Sequence, residues 1–188
     1  MPKWIVVTVL LSVVVLGFAG CQLSRAGYES APYTVLSCDR GFELRHYPVL
    51  RIAETPSGGD DFMRLFRYIS KGNQSETKIA MTTPVFMGGA GAGGRTMSFV
   101  LPEKMEEMPE PKNLQVVLRR MEAGEFAVLR FRGKQQESDG VASQALRAWM
   151  AERKLASSGA PLFAYFDPPW TPGPLRRNEV MIRLALAR

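Results

Sequence analysis

Histidine and cysteine are nearly missing from this chain. It has one histidine and two cysteines in 188 residues, and no C-x-x-C pair. A zinc site draws its ligands from clusters of these residue types, so none is expected, and no disulfide framework is expected either. Also missing are an H-E-x-x-H pair, a phosphate-cradling G-x-x-x-x-G-K-[ST] run and the Ser, His, Asp order of a nucleophilic triad. The glycines from Gly88 to Gly94 lack the flanking Lys and Ser/Thr of a phosphate loop and read as a flexible linker. Arg and Lys are scattered rather than gathered with aromatics, so nucleic acid is not an expected partner. The net charge of +6 describes a solvated basic surface with at most weak attraction to anionic lipid.

The N-terminus is the one long apolar stretch. Met1-Pro2-Lys3 is a short positive start, Trp4 to Phe18 is almost wholly apolar, and Ala19-Gly20 precede Cys21. This is the layout of a secretory signal with small residues before the cut. The small-small-Cys ending resembles a bacterial lipobox, with Phe18 in place of the commoner Leu, and makes Cys21 the expected lipidated N-terminus. Gln22 rather than Asp points to the outer membrane, facing the periplasm. An uncleaved membrane helix is the alternative, although Trp4 to Gly20 is barely long enough to span. Residues 1–21 are therefore read as signal, 22–32 as a polar tether and 33–188 as one domain. Cys38, left without a partner, reads as a buried, inert thiol.

Periodicity outlines the domain. Tyr33 to Cys38 is strand-like. Phe42-Glu43-Leu44-Arg45-His46-Tyr47 alternates, with Phe42, Leu44 and His46 on one face, and Val49 to Ala53 resumes as strand after Pro48. Asp60 or Asp61 starts a helix to Ile69, with Phe62, Leu65, Phe66 and Ile69 as its apolar stripe. Lys78 to Phe86 reads as one extended stretch with Ile79, Met81, Thr83 and Val85 on one face, and Pro84 implies an edge or bulge. Further strands are expected at Thr96 to Leu101, Leu114 to Arg120, Phe126 to Phe131, Leu162 to Phe166 and Asn178 to Leu186. A second helix follows Ser138, with Val141, Ala142, Ala145, Leu146 and Trp149 inward. The order strand, helix, strand, strand occurs twice. Two such units can close one sheet with both helices on one side, leaving a cleft between the halves.

The stretch Lys78-Ile79-Ala80-Met81-Thr82-Thr83-Pro84-Val85, with Asp167-Pro168-Pro169-Trp170-Thr171-Pro172 and Arg176-Arg177-Asn178-Glu179-Val180, resembles the SOUL haem-binding protein family. The resemblance runs from about Tyr33 to Leu186. It implies an α+β fold: a distorted antiparallel β-barrel made of two pseudo-symmetric strand-helix-strand-strand repeats with two flanking helices. That architecture is similar to the small-molecule-binding domains of bacterial multidrug-responsive regulators, in which a glutamate near Glu179 contacts cationic ligands.

The resemblance also implies haem or a related porphyrin as ligand, and buffering or transport as the role. His46 matches a strand position where some family members carry a histidine proposed as the axial iron ligand; a surface or half-buried polar role beside Pro48 is the alternative. Phe62, Met63 and Phe66 are candidate walls for an apolar macrocycle, and Arg64 and Arg67 candidate partners for its propionates. Met81 is a further sulfur candidate, more simply read as core. Glu179 is expected to pair with Arg176, Arg177 or Lys78. Two other functions fit the same residues. One is an enzyme acting on a tetrapyrrole or other planar apolar molecule, with Glu179 or Tyr165 as its polar group. The other is an envelope interaction domain without a small ligand.

Overall fold

The computed structural model describes residues 27–91, 94–105, 107–134, 138–168 and 170–185. The expected signal, the lipid site at Cys21 and the start of the tether lie outside these residues. Among the described residues no helix is long and apolar enough to cross a membrane.

The elements follow the periodicity closely. They are β1 (Glu29–Ser30), β2 (Thr34–Asp39), β3 (Phe42–Tyr47), β4 (Leu50–Pro56), α1 (Asp61–Ile69), β5 (Thr82–Thr83), β6 (Val85–Gly91) and β7 (Gly94–Val100). After them come β8 (Val117–Met121), β9 (Gly124–Phe131), α2 (Asp139–Glu152), β10 (Leu162–Tyr165), a 3-10 turn (Gly173–Leu175) and β11 (Asn178–Arg183). One antiparallel sheet takes nine of the strands in the order β2-β3-β9-β11-β10-β6-β7-β4-β8, and β1 and β5 pair separately in parallel. The sheet is curled but not closed. Among the described residues β2 and β8 are its two edges, so the expected barrel is corrected to a half-barrel.

Alternation along each strand divides the side chains between two faces. On the concave face one buried cluster joins Tyr47, Leu50, Ile52, Phe86, Val100, Phe126, Val128, Ala164 and Met181, drawn from seven strands. Only inward curling brings such distant strands into one cluster. The convex face carries two separate clusters, one under each helix. Helix α1 packs on β4 and β7, and α2 on β9 and β11. The segment read as tether joins the fold from Glu29 onwards. Ala31 N donates to Thr83 O at 2.8 Å, Ala31 is buried in the concave cluster and Tyr33 packs against it. The cleft expected between the halves is thus filled by the protein's own side chains.

Four local expectations are corrected. The run Gly88 to Gly94 is not a linker: Gly88 pairs with Thr96 and Gly91 with Gly94 in the β6–β7 hairpin, because ladder hydrogen bonds come from the backbone and need no side chain. Lys78 to Phe86 is split between the short β5 and the start of β6, and Thr83 turns its hydroxyl to Ser30 Oγ at 2.9 Å. Pro84 stands just before β6, a central strand between β10 and β7, rather than at an edge; ahead of the first strand residue its missing N–H costs no ladder bond. Cys38 is exposed, not buried, because β2 is an edge strand.

Candidate functional site

Helix α1 places the residues expected to wall a ligand. Asp61 anchors its start, where Oδ1 accepts from Phe62 N at 2.7 Å and Oδ2 from Gly58 N and Ser57 Oγ at 3.1 Å; a carboxylate is favourable at this end of a helix dipole. Gly72 N closes the other end on Arg67 O at 2.8 Å. The buried stripe is Leu65, Tyr68 and Ile69, rotated from the expected one. Tyr68 goes inward because its hydroxyl reaches Pro109 O at 2.9 Å. Phe62 and Phe66 are thereby turned out. Phe62, Met63 and Phe66 are 39%, 43% and 42% exposed. The two rings stack at 6.1 Å with an interplanar angle of 13°, and Phe62 also meets Phe99 edge-on at 5.3 Å. Beneath them lies a sulfur-rich cluster, in which Met81, Met97, Met105 and Met108 pack around Phe99 and Ile79. Phe62, Met63 and Phe66 thus form a half-exposed apolar face on α1, and the thioethers beneath can adapt to irregular neighbours.

The two arginines of α1 are neighbours one turn apart. Arg67 is one helical turn beyond Met63 and borders the apolar face; its Nη1 meets Asp60 Oδ2 at 3.1 Å in an exposed pair. Arg64 stands farther from that face, donating from Nε to Thr55 Oγ1 at 3.0 Å and from Nη2 to Pro56 O at 2.9 Å. Arg64, Arg67 and Lys112 line an open groove with Tyr68 and Leu114.

His46 is not brought to this face. Arg45 and Tyr47 are buried while His46 is exposed, so the alternation of β3 sends Arg45 and Tyr47 to the concave side and His46 away from it. His46 thus holds the surface position given as its alternative reading and does not face the concave side. In the sheet order β9, β11, β10 and β6 intervene between β3, which carries His46, and β7, which carries α1. The imidazole makes no hydrogen bond among the described residues.

A buried ionic cluster occupies the concave side. Glu179 has no exposure, and its Oε2 accepts from Arg45 Nη1 at 2.6 Å while Oε1 accepts from Arg177 Nη2 at 2.7 Å. Glu43 Oε2 accepts from Arg45 Nε at 2.7 Å, and Arg130 stands 3.5 Å from Glu179 Oε1. Tyr33 lies over the Arg45 guanidinium at 4.1 Å and Phe166 over that of Arg177 at 4.0 Å. Burial alone would raise the pKa of Glu179, but its hydrogen bond from Arg45 and the charges of Arg177 and Arg45 outweigh it and hold the carboxyl below its usual range. Burial pushes the neighbouring Tyr47 phenol up to about 12 against the pull of Arg45. The expected partner Arg177 is therefore present and Arg45 is an addition. Its sequence signal was the alternation Glu43, Arg45, Tyr47, three polar side chains on the strand face opposite Phe42 and Leu44. Tyr165, on the convex face, donates to Asp139 Oδ2 at 2.6 Å; burial first and this bond second push its pKa up.

The architecture defines an α+β protein built on a curled antiparallel sheet with two helices on its convex side. The chain matches the SOUL heme-binding protein family over residues 28–183, and belongs to it. No curated relative matches the chain. Solved structures share the fold at low identity. An uncharacterized conserved protein from Listeria innocua has a TM-score of 0.59 and 12% identity, covering 79% of this chain and 94% of that one. The EcmrR C-terminal domain has a TM-score of 0.57 and 12% identity, covering 82% and 99%. A hydrolase from Listeria innocua has a TM-score of 0.56 and 13% identity, covering 80% and 94%.

Proposed function

We propose that this protein binds haem or a related tetrapyrrole on the open apolar face of α1, as an envelope-anchored carrier or buffer held by lipid at Cys21. The observation that carries the reading is the stacked, half-exposed pair Phe62 and Phe66 beside Met63. Flat rings left half-exposed suit a flat macrocycle, and family membership supplies its class. The residues fit the macrocycle and one propionate. Phe62, Met63 and Phe66 would hold the plane, and Arg67, bordering them, would exchange Asp60 for a carboxylate. Bound haem would supply an iron centre. The α1 face does not present His46 to that iron, so His46 as axial ligand requires a second position on the rim of β3, where its exposed imidazole is available. The two strand-helix-strand-strand units, read as pseudo-symmetric repeats, belong to the same proposal.

Titration with haem and with metal-free porphyrin, followed by absorbance, tests both positions. Phe62→Ala with Phe66→Ala should weaken both ligands at least tenfold. His46→Ala should leave metal-free porphyrin unchanged, and a shifted Soret band for haem alone would assign the iron to His46. Full-strength binding of both ligands by the double variant overturns the α1 site.

A further inference from the structure

We propose that the rim of the sheet formed by residues 170–176 and 132–134 is a docking surface for an anionic phospholipid bilayer, a second membrane contact besides the lipid expected at Cys21. Trp170 is 83% and Leu175 53% exposed, and neither belongs to α1 or to the strands it packs on. The loop that presents them is braced. Arg176 Nε donates to Thr171 O at 2.7 Å, and Gly173 O accepts from Gly133 N at 3.1 Å. Arg132 Nη1 donates to Pro174 O at 3.3 Å, and Asn178 Nδ2 to Gly133 O at 2.9 Å. A braced loop loses little further freedom when it docks.

Charge complementarity selects the partner. Arg132 and Lys134 are exposed on the same rim. The nearby acids among the described residues are engaged by the fold: Asp139 is buried and accepts from Tyr165, and the half-buried Asp167 accepts through Oδ2 from Arg177 N at 2.5 Å. Glu137 lies outside the described residues. An indole and an isobutyl group flanked by cations match the depth profile of an anionic interface, with Trp at the headgroup level and Arg or Lys among the phosphates.

The point where the chain enters the fold agrees. β1 pairs with β5, Pro84 links β5 to Val85, and Val85 pairs with Tyr165, from which the Trp170 loop departs. Tyr28, a second interfacial residue type, is exposed there. Cys21 precedes Gly27 by six residues, a reach of roughly 20 Å when extended. The orientation, though not the surface, rests on the anchored reading above.

The test uses the full chain in vesicles of phosphatidylcholine and phosphatidylglycerol with brominated acyl chains. Subtracting the emission of Trp170→Phe from wild type isolates Trp170 from Trp4 and Trp149. More than half of that emission should be quenched, and Arg132→Gln with Lys134→Gln should reduce the quenching at least threefold, to the level in phosphatidylcholine alone. Emission untouched by brominated lipid and fully quenched by aqueous iodide overturns the proposal. So does a blue shift that needs no lipid and grows with protein concentration, which would make the rim a protein interface. Intact mass reads the lipid on Cys21 separately, so failure of the anchor and failure of this surface are distinguishable.

Discussion

Replacing Glu179 by Gln keeps the volume and one acceptor oxygen but removes the charge shared by Arg45 and Arg177. Arg45 and Glu179 are fully buried, so the guanidinium that loses its counter-ion cannot recover it from water. Breaking a buried pair by deleting one partner costs about 3–5 kcal/mol, a large share of a total stability of about 5–15 kcal/mol. For a domain of this size that lowers Tm by roughly 6–20 °C. Glu43 remains beside Arg45 at 2.7 Å, so the effect should fall towards the lower end. The pH dependence gives a second readout. A carboxyl held below its usual pKa by the fold contributes stability that is complete above the unfolded value of about 4.3. That contribution is lost as pH falls through the folded value. The wild type should therefore lose stability on acidification, and Glu179→Gln should lack that component. Because both residues share one interaction, Arg45→Met combined with Glu179→Gln should cost clearly less than the sum of the single changes. Thermal melts at pH 7 and below pH 4.5 decide the matter. A Glu179→Gln protein that melts with the wild type, with the acid component intact, would refute the reasoning and leave Glu179 as a ligand contact.

Two further outcomes are expected. Gly72→Ala should destabilise by about 1–3 kcal/mol, since a Cβ there would stand 2.5 Å from the Arg67 carbonyl oxygen, backbone that cannot swing aside; chemical denaturation measures it. Cys21→Ser should abolish a lipid adduct in the intact mass and release the protein from the membrane fraction, whereas a wild type that keeps Met1 without lipid would make the leader an uncleaved helix.

Most of the fold was legible because side-chain periodicity reports it. Asp61 to Ile69 was legible from its acidic start and apolar stripe, and the alternation of Phe42 to Tyr47 gave β3 with its two faces. What escaped depends on partners remote in sequence. Which side of α1 is buried was settled by Tyr68, whose hydroxyl finds Pro109, 41 residues away. The face of β3 that turns inward was decided by Glu179, 134 residues from Arg45, so a lone imidazole looked more informative than the arginine beside it. The hairpin through Gly88 was hidden because glycine carries no side-chain pattern. For the candidate site, Phe62, Met63 and Phe66 were legible as apolar and helical, but their exposure follows from the rotation of the helix, which no local pattern records.

The claim that α1 carries the ligand face is tested most directly by the methionine methyl groups, which sample the α1 face, the concave cluster and the inner side of α2. Met63 sits on α1, Met181 in the concave cluster and Met150 on the buried side of α2. With metal-free porphyrin added, a ring current should shift the Met63 methyl resonance furthest, with Met181 and Met150 unmoved, each assigned by a single Met→Leu substitution. Saturable shifts at Met181 or Met150 with Met63 unmoved, or no shift at any methionine at saturating porphyrin, would contradict the account.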